Sequence, residues 1–357
     1  MLLGSHLSIA GSMVNALREA ESLGMSTVQV FTKNQQQWKA KPLDSGMVKE
    51  WHVELKRLGW DSGGPKRADG SPQGRVVSHA SYLINLASVN DELFAKSIDL
   101  MTDEIERCEE LGIPFLVHHP GSFVGWTLEQ GIDRIAKAYK ELFKRTKGAR
   151  VTSLLEGTAG SGSHIGGPFE HLRDLRAAII GSTGDPARIG YCLDTCHLHA
   201  AGHDMSTRAS AAAALAQFDS MCGLQNLWCF HVNDSKGACG SHLDRHLHIG
   251  EGFVGARSIG EGKTAKPGKF DAKVLANSGF AAVMTNSRCR QIPLILETPK
   301  EEGKTATGVP ASNRLDTMNL RRLMGVVGEE WVVPESPAQK TPKPSAKRTS
   351  KPSGRAG

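Results

Sequence analysis

Short apolar runs alternate with longer stretches of helical spacing along most of this chain. Eight runs stand out: 2–5, 28–31, 76–78, 115–118, 152–155, 189–193, 228–232 and 293–296. Between most of them apolar residues recur every three to four positions, as in 14–23, 48–58, 93–111, 128–143, 172–180 and 211–221, and 313–324 follows the last run. An unbroken apolar run of this length suits a parallel strand buried on both faces. Eight strand and helix units in alternation predict an α/β fold, a closed (β/α)8 TIM barrel occupying residues 1–330 as one domain. A doubly wound open sheet is the rival, and the regularity of eight units favours closure.

Two stretches rich in Gly, Pro and charge break the rhythm, residues 61–74 and 255–269. They read as mobile loop insertions. From Pro334 onward the chain is low-complexity Pro, Ser and Lys, which predicts a disordered basic tail over 334–357.

Composition changes the picture little for the body of the chain and more for its end. At 39% hydrophobic and 22% charged residues, the chain can bury a sizeable core. It has no apolar segment of membrane-spanning length, and its first residues lack the basic and apolar pattern of an export signal. The seven cysteines are odd in number and scattered, which suits reduced thiols in an intracellular protein. Of the formal net charge of +6, the tail supplies most: Lys340, Lys343, Lys347, Arg348, Lys351 and Arg355 face a single acid, Glu335. Such a cluster serves nuclear targeting or DNA tethering. The expected location is the nucleus, with a mitochondrial destination as the second possibility.

Candidate chemistry gathers where the apolar runs end. The third run leads to His79, the fourth to His118 and His119, the fifth to Glu156, the sixth to Asp194 with His197 just beyond, the seventh to His231, and the eighth to Glu297. The segment after the seventh run adds Asp244 and His246. In a barrel, all of these reach the C-terminal rim, where such folds keep their active sites. Taken singly, each has a plain structural reading, and Asp194 in particular is placed to cap a following helix. Taken together, so many carboxylates and imidazoles at one mouth carry a heavy desolvation cost, which a divalent cation would offset. Nine nitrogen and oxygen ligands without a thiolate suit zinc, with manganese or iron as substitutes. They are too many for one four-coordinate ion and fit a cluster of two or three sharing a bridging carboxylate. On this ground we favour the metal reading of Asp194 over the cap.

The motifs also resemble a known family. His79-Ala-Ser-Tyr82-Leu83-Ile-Asn85, His119-Pro-Gly-Ser122, Glu156-Gly-Thr-Ala-Gly160, Leu193-Asp-Thr-Cys-His197, His231-Val-Asn-Asp234-Ser-Lys236, Asp244-Arg-His246 and Leu296-Glu297-Thr298 look like the endonuclease IV family of zinc-dependent apurinic/apyrimidinic (AP) endonucleases. The block Phe31-Thr-Lys-Asn34-Gln-Gln36-Gln-Trp38 matches as well, and the likeness runs from about Leu3 to Thr298.

The resemblance implies a first zinc on His79, His119 and a bridging Glu156. It implies a second on Glu156, Asp194, His231 and Glu297, and a third on His197, Asp244 and His246. It further implies hydrolysis of the phosphodiester 5′ to an abasic site in duplex DNA, with Glu297 assisting deprotonation of the attacking water. Removal of 3′-blocking groups would follow from the same chemistry. Tyr82 and Leu83, with Asn34 and Gln36 in the preceding rim loop, match positions that meet DNA. Two departures stand out: Gln36, where many relatives carry Arg, and Gly157, where relatives commonly carry Asn and could lose a hydrogen bond behind the metals. Nothing in the chain demands more than a monomer. Two other readings compete: a metal-dependent sugar isomerase of the xylose-isomerase-like barrels, and a non-catalytic nucleic-acid binder that keeps zinc for stability.

Overall fold

The computed structural model describes residues 1–60, 74–260, 265–300 and 311–334. Eight parallel strands close on themselves in chain order: β1 (Leu2–His6), β2 (Thr27–Val30), β3 (Val76–His79), β4 (Phe115–His118), β5 (Thr152–Glu156), β6 (Ile189–Asp194), β7 (Leu227–His231) and β8 (Pro293–Leu296). Closure is made by β8 pairing with β1, Leu3 beside Leu294 and Ser5 beside Leu296. Every expected apolar run is a strand of this barrel, with no end shifted by more than one residue. The open sheet is thereby ruled out.

Helices α1 (Met13–Ser22), α2 (Ser45–Leu58), α3 (Asp91–Leu111), α4 (Leu128–Arg145), α5 (Phe169–Thr183) and α7 (Arg208–Cys222) lie where the helical spacing placed them. Polar N-caps start most of them, such as Asn90 on α3 and Thr127 on α4, where a capping box with Gln130 satisfies two free donors reciprocally. Three short helices were not legible in the spacing: α6 (Thr195–Ala201), α8 (Ala272–Leu275) and α9 (Gly279–Thr285). Helix α10 (Ala311–Val326) ends the set and braces the rim from outside, because Asn319 donates to Thr298 Oγ1 at 2.9 Å and accepts from the Ile249 N–H at 3.0 Å. The insertion at 61–74 and the tail fall almost wholly outside the described residues. In the second insertion, Ser258–Ile259 pairs antiparallel with Lys266–Pro267, and residues 261–264 lie outside the description.

The core has two parts. A large one fills the space between strands and helices, and a small one plugs the barrel with Val77, Phe115, Val117, Leu154, Cys192, Cys229 and Ile295. Side chains alternate along a strand, so the residue two positions on faces the same way. Two positions after Val77, Val117, Leu154, Cys192, Cys229 and Ile295 stand His79, His119, Glu156, Asp194, His231 and Glu297. Alternation thus turns an apolar plug into a polar layer one step nearer the C-terminal mouth. Gln29 of β2 and His6 of β1 pair in register and complete that layer.

Candidate metal centre

Glu156 is the hub of the polar layer. Fully buried, it places Oε1 2.8 Å from His231 Nδ1, and Oε2 3.2 Å from His79 Nε2 and 3.3 Å from His119 Nε2. His231 Nδ1 is also 3.1 Å from Glu297 Oε2 and 3.9 Å from Asp194 Oδ2. Beyond Asp194, the Nε2 of His246 lies 3.6 Å from Asp194 Oδ2 and 3.6 Å from Asp244 Oδ1, and His197 Nε2 lies 3.2 Å from Asp244 Oδ1. All nine predicted ligands therefore form one continuous patch of facing nitrogen and oxygen atoms.

Six of the nine arrive on consecutive strand ends, and the rest need local scaffolding. The chain after β7 doubles back as a short ribbon, Asp234–Ser235 against His246–Leu247, which carries Asp244 and His246 over the mouth. Buried Asp234 anchors that segment by accepting N–H bonds from Ser235, Gly250, Val254 and Gly255 at 2.8–3.1 Å. His197 rides on α6, so its position depends on where that helix begins.

Asp194 decides where α6 begins, and here the sequence reading needs correction. Its Oδ1 accepts from the Cys196 N–H at 2.6 Å and the His197 N–H at 3.1 Å, a true helix cap. Its Oδ2 turns the other way, accepts from Asn233 Nδ2 at 2.7 Å, and faces His231 and His246. The cap is real, and because a carboxylate has two oxygens it leaves the second free to face the candidate cluster. Asp194→Asn keeps an acceptor for the cap and loses the charge on the ligand side. Its amide nitrogen then meets Asn233 Nδ2 donor to donor, so its melting temperature should fall and metal content drop, whereas Asp194→Ala, without the cap, should lose about a further 1 kcal/mol of stability. Equal stability in the two variants, by thermal unfolding, would remove the cap.

The imidazoles are oriented for metal. His79 Nδ1 donates to the Ala80 carbonyl at 2.8 Å, His197 Nδ1 to the Gly157 carbonyl at 2.9 Å, and His246 Nδ1 to the Glu297 carbonyl at 3.1 Å. A carbonyl can only accept, so each ring carries its proton on that side and presents a bare Nε2 to the cluster. His231 is reversed: Nε2 donates to Gln29 Oε1 at 2.9 Å, leaving Nδ1 bare toward Glu156 and Glu297. An outer partner fixing the far ring nitrogen is the usual arrangement of a metal-bound histidine. His197 Nε2 and His246 Nε2 are buried without a hydrogen-bond partner, which is costly unless a cation takes those lone pairs. His118 differs, since Nδ1 meets the His119 carbonyl and Nε2 the Tyr139 hydroxyl at 2.6 Å, so it has no free lone pair for the site. Three-residue sets with ligand atoms within 4.8 Å of one another include His79–His119–Glu156 and Asp194–His197–His246.

Electrostatics agrees with a cation site. Burial opposes the ionised form of Glu156, yet the imidazoles of His231 and His119 reverse this and hold it well below the usual carboxylate range. Glu297 is likewise held low, with burial outweighed by His231 and by its hydrogen bond with His6. Burial lowers the proton affinity of His197 and His231, but the facing carboxylates raise it well above the ordinary value. The carboxylates demand positive charge, and divalent ions would replace the ring protons that otherwise supply it. Cys196 sits close to Asp244 and His246. Burial and Asp194 push its thiol up, and its sulfur points to the Arg245 carbonyl at 3.7 Å, so it stays a protonated core residue.

Gln29 and Asn233 hold the candidate ligands in place, and the sequence reading missed them. Gln29 Nε2 donates to Glu297 Oε1 at 2.6 Å while its oxygen receives His231, so one amide orients two ligands. Asn233 holds Asp194 Oδ2 through its amide nitrogen and the Glu297 N–H through its oxygen at 2.7 Å. The signal was present: Gln29 is an amide between Val28 and Val30 in a fully buried strand. Gly157 is also clearer. A Cβ there would meet Leu193 Cδ2 at 3.3 Å, and the bond behind the metal site comes from its own carbonyl to His197.

The four expected DNA-contact residues lie on two rim loops. Tyr82 is 60% exposed, its ring 5.1 Å from His79 and 5.9 Å from His119, so it overhangs the cluster. Leu83 is half-buried and packs against the main core. Asn34 and Gln36 are exposed, and Asn34 Oδ1 spends one acceptor on the Gln36 N–H at 2.9 Å, which shapes their loop.

Fold and site together define a TIM barrel whose C-terminal mouth is a ring of candidate metal-ligand side chains. Residues 17–261 match the family model for xylose isomerase-like TIM barrels. Similar curated proteins are named probable endonuclease 4: that of Chloroflexus aggregans is 36% identical, covering 90% of this chain and 98% of the relative. That of Solibacter usitatus is 38% identical, covering 91% and 97%. Endonuclease IV from Thermus thermophilus superposes with a TM-score of 0.69 at 29% identity, covering 92% of this chain and 99% of its own. D-Psicose 3-epimerase from Clostridium cellulolyticum, at 12% identity and a TM-score of 0.53, shares the fold alone. The chain belongs to the endonuclease IV family.

Proposed function

We propose that the protein is a DNA-repair AP endonuclease that hydrolyses the phosphodiester 5′ to an abasic site in duplex DNA. The products are a 3′-hydroxyl and a 5′-deoxyribose phosphate, and the same site removes 3′-blocking groups. The observation that carries the reading is the continuous patch of nine ligands around Glu156, set beside endonuclease 4 relatives matched over nearly their whole length. The sugar-isomerase alternative has only the shared barrel in its favour.

The donor set suits three zinc ions, grouped on His79, His119 and Glu156; on Glu156, Asp194, His231 and Glu297; and on His197, Asp244 and His246. Zinc there would offset the charge of the phosphodiester and bring the pKa of water to about 7. The chain's own residues do the rest. Glu297, fixed by Gln29 and partly open to the mouth, accepts the proton of the attacking water. Tyr82 enters the gap left by the missing base, while Asn34, Gln36 and Leu83 contact the flanking strand. An abasic nucleotide is cheap to extrude because it has no stacking to lose. The protein works as a monomer.

The reading is tested with a duplex carrying one abasic analogue, incubated with and without a chelator. Cleavage on the 5′ side, lost with chelator and restored by zinc, is the expected result. An uncut strand with metal-loaded protein rejects it. The basic tail beyond Pro334, which lies outside the described residues, is assigned to nuclear targeting. Its point of departure, beside Gly24 in the turn between α1 and β2, is at the barrel end opposite the metal centre. Truncation after Pro334 should therefore leave cleavage within about twofold and abolish nuclear accumulation of a fluorescent fusion. Unchanged accumulation would leave the tail as a solvated linker or a DNA tether, and a mitochondrial signal points to the second destination.

A further inference from the structure

Behind the two rim loops lies a charged pair that takes no part in the metal cluster. Lys33 follows β2, and Glu104 belongs to α3. Their side chains are only 3% and 2% exposed, with Nζ 3.9 Å from Oε1. Lys33 Nζ donates to the Gln37 carbonyl at 2.7 Å. Glu104 Oε2 accepts from the Thr32 hydroxyl at 2.8 Å, and Oε1 from the Ser81 N–H at 3.3 Å. The Ser81 hydroxyl completes the circuit by donating to the Gln35 carbonyl at 2.5 Å.

The bonds of Thr32, Ser81 and Glu104 join segments that the barrel alone would leave independent, and the Lys33–Gln37 bond braces the first of those segments from within. Thr32 to Gln37 is the loop after β2, and Ser81 opens the loop after β3. Their tips are the exposed Gln36 and Tyr82. The cost of desolvating two ions shows that packing is not the reason for the pair, since apolar residues of similar volume often stabilise such a site equally well. What an ion pair supplies, and apolar contact does not, is a fixed geometry among several polar partners.

We propose that Lys33 and Glu104 are positioning residues that lock the loops after β2 and β3 in one register, so that Gln36 and Tyr82 meet the duplex together. The inference rests on the assignment of those loops to DNA recognition.

The test uses full-length protein and the variants K33M, E104Q and K33M/E104Q. Either single change leaves one buried charge unpaired, so melting temperature falls. The double change removes both charges, so melting temperature recovers. If the pair positions the loops, KM for the abasic duplex rises about tenfold in all three variants with kcat within about twofold, and the double variant does not recover. Amide hydrogen exchange at residues 34–38 and 80–83 should quicken in the double variant while metal content stays at wild type. A KM that returns to wild type along with the melting temperature would show a purely structural pair and overturn the proposal. So would unchanged exchange in both loops. Failure of the wild type to cut the abasic duplex would instead overturn the proposed function, and it is distinguishable because the exchange comparison needs no cleavage.

Discussion

Replacing Glu297 by Gln will lower cleavage of an abasic duplex by about 10²- to 10⁴-fold, the contribution of a positioned proton acceptor. Binding of the same duplex should change little, because Glu297 lies in the polar layer and the loops proposed to meet DNA lie outside it. The geometry explains the size of the effect. Gln29 grips Oε1 at 2.6 Å, and Oε2 stands 3.1 Å from His231 Nδ1. The carboxylate is therefore aimed before substrate arrives, and burial is outweighed by neighbouring imidazoles so that it stays ionised. An amide of the same shape keeps the packing and cannot take a proton. Single-turnover kinetics with an equilibrium binding assay separates the two effects, and a variant that cuts at the wild-type rate would remove Glu297 from the mechanism.

Glu156→Gln should be more damaging still, because it strikes metal content and chemistry at once. Its two oxygens touch His231, His79 and His119, and its Oε1 is 3.5 Å from His197 Nδ1. No other carboxylate among the described residues stands so close to four of the site's imidazoles. Losing that charge should cost at least one ion per chain. Cleavage should fall by about 10³-fold or more, since metal stabilisation of a transition state is worth several kcal/mol. Elemental analysis beside the rate assay checks both parts. A full metal complement with normal cleavage would show that Glu156 is not the shared ligand.

Much of this was legible before the structure. The apolar runs from Val76 to Leu296 show strands because burial on both faces leaves no alternation to confuse with a helix. Six of the nine candidate ligands were placed together by alternation: a charged or imidazole side chain two positions beyond an inward apolar residue continues the inner face. That rule does not reach Gln29 and His6, whose neighbours two positions back are Thr27 and Gly4, and Gln29 orients candidate ligands without being one. Asn233 was hidden for a different cause. Its role comes from β8 bringing the Glu297 N–H alongside, a long-range contact that no local spacing encodes. Asp194 was read as a choice between cap and ligand, when α6 needed one oxygen and the cluster the other. Helix α6 itself escaped notice because seven residues, all but one buried, show no amphipathic period.

The central claim is that strand ends from β3 to β8, with two loop segments, build one multinuclear metal centre that does the cutting. Elemental analysis of purified full-length protein, run with abasic-duplex cleavage on the same samples during stepwise chelation, tests it most directly. The account predicts close to three zinc ions per chain, with activity disappearing as they are withdrawn and returning as they are replaced. A single ion per chain, or cleavage that persists in metal-free protein, would contradict it.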